Sequence, residues 1–356
     1  MMKIDSQSWQ ALSVAALPVV LGSMAMTAAL ILLLFPLLRR YALARPNARS
    51  SHATPTPQGG GIAVIAATLV ALIGAAYSLG GSVFAGNPHL LAVVAATVGL
   101  AVLGMTDDIR PMRAASRLAL QALAVGLVVA TLPVDLRVVP AAPFVVERVA
   151  LAFALVWFVN LVNFMDGIDW MSVAEIVPVT AGLAVLAALG ALPLLGGLAT
   201  LALCGAMLGF APFNRPVARL FLGDVGSLPI GLLTGWLLVL VAGRGHLVAA
   251  VLLPLYYLAD ATITLGRRLA KGERLWEAHR THFYQRALAN GFDVGQVIGR
   301  VFLTNLGLIL LSAITVAVPD PVVAALALAA GVALVAFVLR RFSRPRRARG
   351  LPHRAQ

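Results

Sequence analysis

Apolar residues fall along this chain in long unbroken blocks, and the short stretches between the blocks hold most of its charge. Each block is near the roughly 20 residues that a helix needs to cross a hydrocarbon layer, within a tolerated range of about 17 to 25. Unbroken apolarity, rather than alternation with a period of two, predicts spanning helices and not barrel strands. The pattern places spans at 14–38, 61–80, 89–105, 118–133, 148–164, 174–190, 194–212, 228–242, 247–265, 299–318 and 321–340, eleven in all. The first run, Val14 to Leu38, is too long for a signal-peptide core and has no good cleavage site, so it reads as a span. The predicted fold class is an all-α integral membrane protein, a polytopic bundle of about eleven transmembrane helices.

Composition agrees. With 60% hydrophobic and 12% charged residues and a mean hydropathy of +0.93, a soluble globular protein is excluded. The lone cysteine, Cys204, lies inside a run. It rules out an intramolecular disulfide framework and reads as a small core residue. The net charge of +13 invites a nucleic-acid partner, but the basic residues sit in short loops between apolar runs, where they report orientation instead. With the C-terminus inside, only Lys3, Arg137, Arg148 and Arg244 of the 27 lysines and arginines fall outside. The N-terminus is then outside, and the loops 39–60, 105–117, 160–173, 213–227 and 266–298 are cytoplasmic.

Those loops hold the candidate chemistry. Between the first two spans, Asn47, Arg49, Ser51 and His52 are donors suited to phosphate, and Gly59-Gly60-Gly61 offers backbone N–H groups at a helix mouth, a geometry that binds anions. A plain Pro/Gly turn with snorkelling arginines is the simpler alternative. Span three ends in Asp107-Asp108, adjacent carboxylates suited to a general base, a metal site or both, or to a solvated turn balanced by Arg110 and Arg113. Arg117 follows within reach of a phosphate. Asn160, Asn163, Asp166 and Asp169 recur every third residue and form a drifting polar stripe if helical, with Gly167 as a break where backbone can approach a ligand. Asp224, between Gly223 and Gly226, suits a hard metal beside phosphate oxygens, and Ser227 suits a helix N-cap.

Two further acids lie inside spans. Glu175 is expected to pair with a loop arginine in a structural role, and Asp260 is a functional candidate with an ion pair to Arg267 as its rival. His279-Arg-Thr-His282 and Arg286 fit a polyphosphate clamp better than a zinc site, which lacks a third ligand. The outside segment from Pro133 to Glu147 suggests a short hairpin, and the basic tail 341–356 a topology anchor that also attracts anionic membrane lipid.

Five of these features, in this order, resemble the polyprenyl-phosphate N-acetylhexosamine-1-phosphate transferases, the membrane family of muramoyl-pentapeptide and WecA-like enzymes in glycosyltransferase family 4. They are Pro46-Asn47 with Ser51-His52 and Pro55-Thr56-Pro57 leading to Gly59-Gly60-Gly61, Asp107-Asp108, Asn160 to Asp169, Gly223-Asp-Val-Gly-Ser227, and His279 to Arg286. The His-Arg-x-His form is similar to the O-antigen-initiating branches. The resemblance covers nearly the whole chain and implies one polytopic transferase domain over 1–340. The implied enzyme moves a sugar 1-phosphate from a UDP-sugar to undecaprenyl phosphate in the bacterial inner membrane, releasing UMP. It further implies Mg²⁺, with Mn²⁺ as a substitute, held by Asn163 and Asp224. Asp107 and Asp108 activate or position the lipid phosphate, with Asn47, Arg49, Ser51, His52 and Arg117 near it. Asp166 and Asp169 are set at the substrate, Asp169 at the uracil, and His279, Arg280 and His282 at the pyrophosphate.

Three departures stand out. Trp170 replaces a usual second glycine, Arg117 a usual lysine, and Gln58 a position often basic. A transporter or flippase of lipid-linked sugar and an inactive nucleotide-sugar-binding relative are the alternative functions. The sequence leaves the oligomeric state open, a homodimer included.

Overall fold

A computed structural model describes residues 6–44, 55–78, 87–274 and 279–346. The elements are α1 (Ser6–Tyr41), β1 (Leu43–Ala44), β2 (Thr56–Pro57), α2 (Gly60–Ser78), α3 (Pro88–Ile109), α4 (Ala114–Ala130), α5 (Phe144–Met165), α6 (Met171–Ala188), α7 (Leu194–Asn214), α8 (Asp224–Gly243), α9 (Leu247–Leu252), α10 (Leu255–Ala270), α11 (Phe283–Ala289), α12 (Val294–Ala317) and α13 (Pro321–Phe342). Among the described residues nine helices are long and apolar enough to cross a membrane. Each answers to one of the eleven predicted spans. The other two predicted spans are the 17-residue α4 and the 247–265 run, which divides into α9 and α10 around Pro254. A proline there lacks the N–H that would continue the helix and crowds the preceding turn.

Local signals set several helix starts. Asn87 accepts from the Leu90 N–H at 3.0 Å ahead of Pro88. Asp293 accepts from Gln296 at 2.8 Å, and Asp320 from Val322 and Val323 ahead of Pro321. Each side chain satisfies donors that a helix start leaves without intrahelical partners, and proline at the first position loses nothing.

Helix α8 is the centre of the bundle. Its span is 94% buried against 22% for α1, as expected of a helix that is apolar on every side. Packing against α2, α3 and α5 depends on small residues. A methyl on Gly231 would lie 2.8 Å from the Val159 Cα, and one on Gly226 2.7 Å from the Gly61 Cα. Since lipid is as apolar as the core, close backbone approach of this kind is what holds membrane helices together. Outward faces keep Leu32, Leu303, Leu326 and Phe337 exposed, which suits a hydrocarbon solvent.

Two expectations change here. The segment from Pro133 to Glu147 forms turns rather than a hairpin: Glu147 pairs with Arg137 and accepts from the Val138 and Val139 N–H groups at 2.5 and 2.8 Å. Among the described residues Glu175 pairs with no loop arginine. It is buried and accepts from the Asn305 Nδ2 on α12 at 2.7 Å, because its position on α6 faces the helix interface and not the loop.

Candidate active site

The C-terminal ends of α3 and α5 and the N-terminal end of α8 meet at one end of the bundle and bring three motifs together. The start of α8 has no side-chain cap of its own, since its N-cap is Gly223. Asp108 supplies the cap from α3. Its Oδ1 accepts from the Asp224 N–H and its Oδ2 from the Val225 N–H, each at 3.1 Å. Gly223 is required twice over, because its φ is +78° and a methyl there would sit 2.6 Å from the Asp108 Oδ2. The adjacent carboxylate acts differently: Asp107 accepts from the Met112 N–H at 2.6 Å and from Arg117 at 2.8 Å. The predicted cap by Ser227 is not formed, because α8 begins three residues earlier, at Asp224.

With its backbone held by Asp108, the Asp224 side chain stays available. It is a quarter exposed and lies 3.5 Å from Arg117. Asn163, one turn from the end of α5, donates to the Asp224 Oδ1 at 2.7 Å and to the Ser227 Oγ at 2.9 Å. Asn160, one turn earlier, bonds the buried Gln121 of α4 at 2.7 Å and is structural. Asp107, Asp108 and Asp224 thus share one small region, with Arg117 paired to Asp107 and 3.5 Å from Asp224. Like charges so placed repel unless a cation joins them.

This donor set fits Mg²⁺. A hard cation prefers oxygen, keeps several waters, and is commonly held by one or two carboxylates plus substrate phosphates rather than by a closed protein cage. Asp224 provides the carboxylate, and rotation of the Asn163 amide would present its oxygen. Among the described residues no group of three or more His, Cys, Asp or Glu side chains is placed to hold a metal ion by itself.

The predicted polar stripe is helical only in part. Helix α5 ends at Met165, so Asp166 and Asp169 lie in the following turn. Asp166 accepts from the Ser172 hydroxyl at 2.6 Å. Burial pushes its carboxyl up to about 6 against the Ser172 bond, with the Asp224 and Asp169 carboxylates adding to the rise. Asp169 is buried and accepts from the Ala218 N–H at 3.0 Å, tying this turn to the loop after α7. The backbone at Gly167 is approached by protein and not by open space: a methyl there would overlap the Tyr284 hydroxyl.

Trp170 is the one described non-glycine residue with a positive φ, at 61°. Its N–H donates to the Asn214 Oδ1 at 2.8 Å and its indole to the Ala211 carbonyl at 2.6 Å. The left-handed backbone accounts for a glycine being usual at this point in the family that the motifs resemble. Trp170→Gly is therefore expected to be more stable than Trp170→Ala by about 1 kcal/mol, the reverse of the usual order, because only glycine adopts this conformation without strain. Paired thermal melts in detergent check this, and an alanine variant equal to or more stable than the glycine one contradicts it.

The Gly59-Gly60-Gly61 N–H groups do not form the expected anion nest. The Gly60 and Gly61 N–H groups donate to the Phe221 and Leu222 carbonyls, each at 2.9 Å, so the loop ahead of α8 already occupies them. Gln58 pairs with Phe221 and donates to the Asp108 carbonyl at 3.1 Å, a structural tie where a basic residue was a familiar alternative. Asn47, Arg49, Ser51 and His52 lie outside the described residues.

The His279 to Arg286 segment packs beside this turn. His282 is buried, with its ring stacked 5.8 Å from that of Tyr284, 4.9 Å from that of His279 and 6.5 Å from that of Phe164, the neighbour of Asn163. Tyr284 donates to the Phe164 carbonyl at 3.2 Å. Arg280 is exposed, whereas Arg286 and Arg267 flank the Phe283 ring. Arg267 thus forms no ion pair with Asp260, whose oxygens are taken by the start of α11. Periodicity in the sequence carried no signal for either capping partnership, Asp108 with α8 or Asp260 with α11.

Residues 90–242, which include Asp107, Asn163 and Asp224, match the family described as glycosyl transferase family 4. A probable undecaprenyl-phosphate N-acetylglucosaminyl 1-phosphate transferase of Bacillus subtilis (strain 168) is 25% identical over 74% of this chain and 75% of its own length. A decaprenyl-phosphate N-acetylglucosaminephosphotransferase of Mycobacterium leprae (strain TN) is 27% identical over 74% of each. With the order of the loop motifs, these matches make the chain similar to the polyprenyl-phosphate N-acetylhexosamine-1-phosphate transferases and support a multi-pass membrane enzyme that transfers a sugar phosphate.

Proposed function

We propose that this chain transfers an N-acetylhexosamine 1-phosphate from a UDP-sugar to undecaprenyl phosphate, releasing UMP and leaving the sugar on the lipid through a pyrophosphate. The observation that carries this reading is the meeting of Asp107, Asp108 and Asp224 with Arg117 and Asn163 at the ends of membrane helices. At such an edge a water-soluble donor and a bilayer-bound acceptor can both reach one site. An apolar cavity of about 610 Å³ between α3 and α4, ending at Thr106 and Met112 beside Asp107, supports a lipid acceptor on that side.

In the reaction an oxygen of the lipid phosphate attacks the sugar-bearing phosphorus of the donor. The bond from that phosphorus to the bridging oxygen breaks, and UMP leaves with the electron pair. Such a transfer between two anions depends on charge neutralisation and in-line placement more than on covalent chemistry. Asp224 and Asn163 are the residues that would hold Mg²⁺, with Mn²⁺ as a substitute, and when bound the ion neutralises phosphate charge. Asp107, oriented by Arg117, activates or positions the lipid phosphate, with Asn47, Arg49, Ser51 and His52 near it. Asp108 fixes the helix that carries Asp224. Asp166 and Asp169 serve the nucleotide end, and His279, Arg280 and His282 the diphosphate.

The distribution of arginines supports an active site on the cytoplasmic face of the bacterial inner membrane, with the N-terminus outside and the C-terminus inside. The product suits the start of O-antigen, lipopolysaccharide or a related cell-surface polysaccharide. UMP release by the purified protein, with undecaprenyl phosphate and a panel of UDP-sugars, tests the proposal. Lipid-dependent release from one donor class, abolished by chelator and restored by Mg²⁺, is expected. Folded protein that releases no UMP from any donor rejects it.

A further inference from the structure

The seven-residue helix α11 follows His282, and a carboxylate from another helix holds both. Asp260, on α10, is fully buried in the bundle. Five donors converge on it. Its Oδ1 accepts from the Phe283 N–H at 2.9 Å and lies 3.2 Å from the His282 Nδ1 and 3.4 Å from the Thr264 Oγ1. Its Oδ2 accepts from the Tyr284 N–H at 3.1 Å and from the Tyr256 hydroxyl at 3.2 Å. Two consecutive backbone N–H groups and the ring just before them are therefore pinned to one rigid carboxylate. A buried acid inside a membrane is costly, and it persists where it is fully engaged and serves a purpose.

The pinned ring leads toward the chemistry. His282 packs against Phe164 and Tyr284, and Tyr284 closes on the turn at Gly167, so the ring abuts the segment that carries Asn163 and Asp166. With a carboxylate as the acceptor, Nδ1 carries the hydrogen, and Nε2 is the ring nitrogen left for a second partner. We propose that Asp260 is a positioning residue for the transfer, holding His282 through Nδ1–H in the orientation from which Nε2–H, with the ring protonated on both nitrogens in the complex, donates to the donor diphosphate. This rests on the assignment of His282 to the diphosphate. A carboxylate behind a functional histidine is a recurrent way to set which nitrogen a ligand meets.

The test uses the full chain in nanodiscs, labelled with ¹⁵N-histidine, with the His282 resonances identified by their loss in His282→Ala. The native ring is expected in a form with Nδ1 protonated. Asp260→Asn is expected to abolish that preference and to lower kcat/KM for the UDP-sugar by about tenfold, within the range typical of such supporting partners. In the His282→Ala background the same substitution should cost almost nothing more, because the two residues act as a unit. A neutral native ring protonated on Nε2 alone overturns the proposal, even if Asp260→Asn does not fold. Fully additive losses overturn it as well, since a purely structural carboxylate would cost the same in both backgrounds. If His282→Ala turns over normally, the diphosphate assignment fails, and with it the positioning role, while the tautomer result still reports on the Asp260 contact.

Discussion

Asp224→Asn is expected to lower turnover by at least about a hundredfold, which corresponds to about 2.7 kcal/mol of lost transition-state stabilisation, while the chain remains folded. The two expectations have separate origins in the geometry. The N-terminal N–H groups of α8 are satisfied by Asp108 and not by Asp224, so the substitution leaves the helix start capped. It also removes one of three neighbouring carboxylates, which relieves repulsion. What is lost under the proposed function is the charged oxygen ligand for a cation that neutralises phosphate. Asp108→Asn should behave differently, because an amide nitrogen would face a backbone N–H that now donates to a carboxylate, and both stability and turnover should fall. Turnover together with thermal melting for the two variants separates them. Near-normal turnover in Asp224→Asn would remove Asp224 from the chemistry.

Gly104→Ala is expected to destabilise the protein by about 2–3 kcal/mol, in the range for overpacking a tight contact, and to lower activity with it. Gly104 lies one turn before Asp108, and a methyl there would overlap the Asp224 carbonyl. The neighbour is backbone at the start of the central helix and has no side chain that can swing aside. Accommodating the methyl would push α8 away from α3, which would draw the Asp224 and Val225 N–H groups off Asp108. Gly99→Ala, on the same helix where a methyl meets nothing within 4 Å, should be neutral or slightly stabilising, as alanine is the better helix former. Melting temperatures of the pair, measured in one detergent, provide the comparison. Equal melting temperatures would show that the α3–α8 contact gives way easily.

The spans were legible because apolar length and burial are one-dimensional properties, and every long helix coincides with a block of the sequence. The acidic motifs were also placed at a common end by their position at block boundaries. Partnerships between those ends were not legible. Asp108 and Asp224 are separated by 116 positions, and nothing in a run of aspartates distinguishes a carboxylate that caps a remote helix from its neighbour that pairs with an arginine. The same holds for Asp260, for which Arg267 suggested an ion pair while its actual donors include the backbone N–H groups 23 and 24 positions on. The glycines at 59–61 suggest an anion nest in sequence because free N–H groups cannot be told from engaged ones without the loop ahead of α8 that engages them. The oddity at Trp170 was visible as a missing glycine, but its cause, a left-handed backbone, belongs to the turn that joins α5 to α6.

The most direct measurement follows the phosphorus that moves. With a UDP-sugar radiolabelled at the β-phosphate, purified protein and undecaprenyl phosphate should give label in the organic-extractable lipid and unlabelled UMP in the water phase, in equal amounts and only with Mg²⁺. Label retained in water as UDP, with sugar alone passing to the lipid, would contradict transfer of a sugar 1-phosphate and assign the carboxylate cluster to a different bond.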